Sequence, residues 1–445
     1  VPQADGVSAA RVPLREILRL AGPALPVLAA EPLYLLVDTA VVGRLGAVPL
    51  AGLAVAAVLF AQVTSQLTFL SYGTTARTAR MYGSGQRAAA VAEGVQATWL
   101  ALGVGTVLLV VGELVARPVG DALGNGGAIA DAAVSWLRVA LIGTPLLLVT
   151  LAGNGWMRGV QDTARPLRYV LTGNGISAVA CLLLVHGIGG WDGLGLVGSA
   201  WANVAGQCVG AGLFLGALAR EPGGSRTPRP AVLRAQLVMG RDLVARSLAF
   251  QACFLSAAAV ATRFGAPAVA AHQIVLQLWT FMALVLDAVA IAAQSLVGAA
   301  LGGGDAERAR ALAGQVTRYG LMMGIGFGLL FAALSGVLPP VFTPDAAVLA
   351  AVPVAWWFFA ALQPVAGVVF AIDGVLLGAG DAAFLRTSTL AAAVFGFLPL
   401  IWASLAFGWG LAGIWSGLAA FMLLRLVAVG WRVRGGGWAR TGVST

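Results

Sequence analysis

A carboxyl group in the middle of a greasy segment is the feature of this chain best placed to do chemistry. Asp38 lies deep in the stretch EPLYLLVDTAVVG. An aspartate at the centre of a membrane span costs about 2.5–3.5 kcal/mol on insertion scales, and burial disfavours the charged form of a carboxyl group. Such a group can take up and release a proton, or hold a cation in the proton's place. The plainer alternative is a structural hydrogen bond to a neighbouring helix. Glu31 lies seven residues before Asp38 and Tyr34 four residues before it, so the three share one helical face. Pro23, Pro26 and Pro32 interrupt the same segment. A mid-helix proline frees a carbonyl and bends the axis. A weakened helix that carries a titratable acid can serve as a switch, although static packing accounts for any one proline equally well.

Two further acids fall in apolar stretches: Asp373 in VVFAIDGVLLGAGD and Asp287 in LVLDAVAIAAQ. Each reads as either a second ion site or a salt-bridge partner. Asp162 and Asp381 follow glycine-containing turns and precede helices, which suits N-capping. His272 begins a span and suits a structural hydrogen bond better than a proton relay. His186 lies near the outer end of another, where a lone histidine could report external pH. Cys181, Cys208 and Cys253 lie in apolar segments and read as buried free thiols, with neither disulfide nor metal spacing. No Walker loop, HExxH, GxSxG or paired-cysteine motif occurs. The chain is therefore expected not to be an enzyme, to need no cofactor, and not to use ATP directly.

The elements that must position these groups are membrane spans. Apolar residues make up 59% of the 445 and charged residues 10%, against about half and about a quarter in soluble domains; mean hydropathy is +0.90. Sixty glycines suit close helix packing in lipid. Twelve spans of roughly 20 or more residues are expected, near 17–43, 50–73, 90–115, 130–155, 166–187, 195–219, 243–263, 268–298, 309–338, 347–377, 385–407 and 411–431. The first ten residues are polar, and the first apolar stretch is read as a retained span without a cleavage site. The net charge of +9 does not imply nucleic-acid binding. All 27 basic residues are arginine, and they punctuate span ends. Their bias, from Arg11, Arg15 and Arg19 through Arg77, Arg80 and Arg158 to the C-terminal group, places both termini in the cytoplasm.

The six spans occur twice. VVGRLGAV around residue 41 matches VATRFGAP around 260, and Arg44 and Arg263 differ by 263 − 44 = 219. RGVQDTA and LGAGDAA carry Asp162 and Asp381 at the same shift, 381 − 162 = 219. An even span number makes a parallel repeat, with a pseudo-twofold axis along the membrane normal. The repeat-mate of Asp38 is Ala257, that of Asp373 is Asn154, and that of Asp287 is Thr68. The expected organisation is an all-α membrane protein. It has an N-terminal lobe (1–219), a flexible cytoplasmic linker (220–240) and a C-terminal lobe (241–445), six helices in each lobe.

The stretches PLYLLVDTAVVGRLG, GRDLVARSLAFQACFLSAAAVATRFG and FAIDGVLLGAGD together resemble the multidrug and toxic compound extrusion (MATE) family, in its DinF-like branch. The similarity runs over nearly the whole chain. It implies two six-helix lobes in a V around a central cavity, and export of cationic or amphipathic compounds in exchange for protons or sodium. On that resemblance Asp38 matches the essential first-helix carboxylate, and Pro23 a proline at which that helix bends. Asp373 matches a C-terminal-lobe acid used by some members for cation binding. Asp287 and Arg246 match recurrent DinF-branch positions, and Asn203 stands where relatives often carry threonine. Many relatives have an asparagine and an aspartate in the fifth helix where this chain has Ser177 and Cys181. Asp38 then titrates among neutral partners such as Asn154, Asn174, Ser177 and Asn203, or Glu31 replaces the missing acid. Loss of that acid counts against sodium, a hard cation that prefers several oxygen ligands.

The resulting expectation is a proton-coupled antiporter of the cell membrane, with sodium as the alternative ion. The coupling groups are Asp38, Glu31, Asp373 and Asp287, and the helix hinges are Pro23, Pro26 and Pro32. The substrate cavity holds Tyr34, Gln66, Asn154, Asn174, Ser177, Cys181 and Asn203. The partners are small cationic or amphipathic molecules and membrane lipids, with a monomer expected. A flippase for lipid-linked precursors and a non-transporting receptor or scaffold are the alternatives. A major-facilitator carrier would share the span count, but RTARMYGSGQR lacks that family's acidic-basic loop signature.

Overall fold

A computed structural model describes residues 14–124, 126–223 and 225–442. Arg11 and the polar residues before it lie outside the described residues. The first half of the chain forms α1 (Leu14–Val42), α2 (Ala47–Gln66), α3 (Phe69–Gly83), α4 (Arg87–Gly124), α5 (Gly127–Ile142), α6 (Thr144–Gly159), α7 (Ala164–His186) and α8 (Leu196–Arg220). The second forms α9 (Pro230–Ala261), α10 (Ala266–Gly302), α11 (Ala306–Ala333), the single turn α12 (Pro339–Phe342), α13 (Ala346–Gly378), α14 (Ala382–Ala392), α15 (Leu398–Phe407) and α16 (Gly410–Arg434). Among the described residues the one β-type pairing is the isolated bridge between Ile188 and Trp191. Eleven helical segments are long and apolar enough to cross a membrane, and α5 with α6, bent by 48°, makes a twelfth. The break falls at Gly143, followed by Pro145 in the first turn of α6. Proline lacks the amide that would continue the α5 ladder. One uninterrupted span was expected there.

The described residues divide into two compact units, one within Gly22–Gly240 and one made of residues 14–21 with 241–442. Both divisions lie inside helices, α1 and α9, at positions one repeat apart (240 − 21 = 219). Local geometry keeps the same period. The 3₁₀ turns Gly43–Leu45 and Thr262–Phe264 correspond, as do the positive-φ glycines Gly46 and Gly265. Gln161 has φ 61°, and its repeat-mate is Gly380 at φ 75°.

Of the segment read from sequence as a flexible linker, residues 220–223 and 225–240 group with the first unit. Trp99 Nε1 donates to the Arg226 carbonyl (2.9 Å), Gln96 Nε2 to that of Thr227 (2.8 Å), and Gln96 Oε1 accepts from the Arg229 amide (2.6 Å). The polar side chains of α4 satisfy backbone groups that a Pro/Gly-rich strand leaves unpaired.

Glycine allows the close contacts within each unit. A Cβ on Gly173 of α7 would lie 2.9 Å from the Gly206 carbonyl oxygen of α8, and one on Gly367 of α13 would lie 2.1 Å from that of Gly320 in α11. Backbones this near leave no room for a methyl group. Gly367→Val is expected to abolish the folded second unit, read as loss of the monodisperse peak in size exclusion. A normal peak would mean the helices can separate without loss.

Candidate functional site

In the first unit four helices converge on Asp38, which is 1% exposed. Cys181 of α7 donates its thiol to Asp38 Oδ1 at 3.3 Å. The Ser199 hydroxyl of α8 also faces the carboxylate, while Trp136 Nε1 of α5 donates to Ser199 Oγ at 2.8 Å. The indole fills an acceptor position on Ser199 and so leaves its proton for Asp38. Among the described residues no cation pairs with Asp38. It is thus a buried acid held by neutral donors. Ser199 and Trp136 were not singled out from sequence; the available signal was that Ser199 lies four residues before Asn203, on the same face of α8.

Tyr34 (6% exposed) packs beside Asp38, its hydroxyl near Ser177. Ser177 itself donates to the Ala202 carbonyl at 3.0 Å. Pro23, Pro26 and Pro32 all lie within α1, which continues through them as one helix. The division between units falls immediately before Gly22, next to Pro23.

A cavity of about 350 Å³ opens inside the same unit. Its polar wall includes Glu31 of α1, Tyr72 of α3, Asn154 and Arg158 of α6, Asn174 of α7 and Gln207 of α8. Of the residues assigned to a cavity from sequence, Asn154 and Asn174 line it, and Glu31 joins them. Tyr34, Gln66, Ser177, Cys181 and Asn203 do not. Tyr34, Ser177, Cys181 and Asn203 are buried; Tyr34 and Cys181 flank the sealed carboxylate, Ser177 lies beside Tyr34, and Gln66 bonds its neighbour Ser65 (3.1 Å). Arg158, taken from sequence as a marker of orientation, is 4% exposed, faces Ser71 Oγ at 3.4 Å and reaches the wall.

In the second unit Asp373 of α13 joins the guanidinium groups of Arg246 of α9 (2.5 Å) and Arg425 of α16. Both cations lie over the Phe250 ring, 5.7 and 5.1 Å from its centroid. Of the two roles left open for Asp373, the geometry has the salt bridge. Asp287 is half-buried on α10. Asp162 accepts from the Arg165 amide (3.1 Å), as expected of a capping residue. Its repeat-mate Asp381 occupies the N-cap of α14 without a capping hydrogen bond and accepts from Arg432 instead (2.6 Å). His272 was expected to make a hydrogen bond. Among the described residues neither ring nitrogen has a partner, and the ring packs edge-on to Trp415 at 6.0 Å. Cys181 and Cys253 are buried, whereas Cys208 is exposed on α8, since its helix face is not covered within the unit.

Two repeated bundles of membrane-crossing helices, with a buried acid and an internal cavity in one of them, define a multi-pass membrane protein of transporter type. The MatE family model matches residues 23–183 and 243–402, and the chain belongs to that family. It is 33% identical to Protein DETOXIFICATION 44, chloroplastic, of Arabidopsis thaliana, over 95% of this chain and 83% of that one. It is 29% identical to DNA damage-inducible protein F of Escherichia coli, over 92% and 90%. The fold superposes on a crystal structure of MATE in the bent conformation with a TM-score of 0.88 at 19% identity, covering 98% of this chain and 99% of the other.

Proposed function

We infer that this chain is a proton-driven antiporter that exports small organic cations or amphipathic compounds across the cell membrane, with both termini in the cytoplasm. The observation that carries the reading is Asp38. It is buried, on a proline-containing helix, with neutral donors and no counter-cation among the described residues. A proton satisfies such a carboxylate alone. Sodium needs several hard oxygens, and here one neighbouring donor is a thiol. Protonation removes the charge that the donors of α7 and α8 stabilise, so the packing of α1 responds to it, and Pro23 lies beside the division between the units. One proton exchanged for one monovalent cation moves no net charge, so the pH gradient alone drives it, at about 1.4 kcal/mol per pH unit. Efflux of ethidium from proteoliposomes under separately imposed pH and sodium gradients tests this. Export should follow the pH gradient with sodium absent, and export that requires sodium refutes the proton reading.

A further inference from the structure

The acid that is best placed to take the proton does not touch the cavity. The cavity wall carries one carboxyl group, that of Glu31, two helical turns or about 10 Å along α1 from Asp38. Glu31 is exposed there, and among the described residues it has no ion pair. The same wall holds Asn154, 4% exposed, whose Oδ1 has no hydrogen-bond partner. A buried acceptor left unsatisfied calls for a donor. Tyr72 and Tyr169 add aromatic surface and Leu28, Leu147 and Leu151 apolar surface. A negative charge, an orphan acceptor, aromatic rings and aliphatic walls in about 350 Å³ match a flat organic cation that also carries N–H donors. The opposing charge on the wall, Arg158, lies one turn beyond Asn154 on α6 and faces Ser71, which leaves Glu31 as the place for the cationic end.

We propose that Glu31, with Asn154, is the subsite for the cationic end of the cargo, and that Asp38 carries the proton without contacting cargo. The proposal rests on the export reading above. Cargo and proton occupy different carboxylates of one helix and communicate along α1, through Pro32 and Tyr34. The groups facing Asp38 are Tyr34 on its own helix, Cys181 on α7 and Ser199 on α8; those sharing the cavity with Glu31 are Tyr72, Arg158 and Tyr169.

Ethidium fluorescence titration of the purified full chain in detergent decides the matter. Glu31→Gln should weaken ethidium binding by about tenfold or more, because the counter-charge on the cavity wall is lost. Glu31→Asp should stay much closer to wild type, which separates loss of charge from a disturbed fold. Asp38→Asn should bind within about threefold of wild type, and it decides alone should Glu31→Gln not fold. Wild-type affinity in Glu31→Gln, or loss of binding in Asp38→Asn, overturns the proposal while leaving export intact. A wild-type protein that does not bind ethidium overturns the organic-cation reading of the function, and this subsite with it.

Discussion

Asp38→Asn should stop pH-driven export and leave the protein folded. Asparagine is nearly isosteric, its Oδ1 can still accept from the Cys181 thiol, and Trp136 still donates to Ser199. What disappears is the ability to exchange charge for a proton. In a one-for-one exchanger each pH unit sustains about a tenfold cargo gradient, equivalent to about 1.4 kcal/mol. In the variant that ratio should collapse to one, with size-exclusion behaviour unchanged. The measurement is ethidium efflux from proteoliposomes across an imposed pH step. A variant that still builds a gradient would remove Asp38 from the coupling mechanism. Loss of the folded peak would instead make the carboxylate structural, the alternative that the sequence left open.

The spans could be read from sequence because lipid demands long apolar helices with internally satisfied backbones. The repeat could be read because turns that need positive φ or a 3₁₀ tightening tolerate few residues, so Gly46 and Gly265 mark the same corner twice. Asp38 stood out for the same reason, as a charge where hydropathy allows almost none. The cavity wall was less legible. Tyr72, Arg158, Tyr169 and Gln207 are spread over four helices, and each is ordinary in its own segment. Their convergence depends on the break at Gly143, which redirects α6, and on the contact of Gly173 with Gly206 between α7 and α8. Neither a kink angle nor a pairing of helix faces is encoded in one residue's type. The contacts of the linker were not legible because Pro and Gly report what a segment cannot do alone, not what the polar face of α4 can do for it.

Asp373 illustrates the same ambiguity, and its removal should have the second large effect. The position matched an acid that could serve ions, yet here it lies between two guanidinium groups. Arg425 is 1% exposed, and Arg246 only a little more open to solvent. Asp373→Ala would leave both cations over the Phe250 ring with no counter-charge. Removing one member of a buried ion pair costs about 3–5 kcal/mol, while replacing the whole set with apolar side chains is often close to neutral. The single variant should therefore lower the thermal midpoint in detergent markedly, and Asp373→Leu combined with Arg246→Met and Arg425→Met should recover much of the loss. An ion-coupling role makes the opposite prediction. A second proton would add about 2.3 kcal/mol per 100 mV of membrane potential, so Asp373→Ala would melt like the wild type and lose a voltage-dependent component of transport. The ion triad ties α9, α13 and α16 together, and α13 also packs against α10 and α11. On that geometry the expected result is a destabilised second unit and a transport rate that ignores voltage in wild type and variant alike.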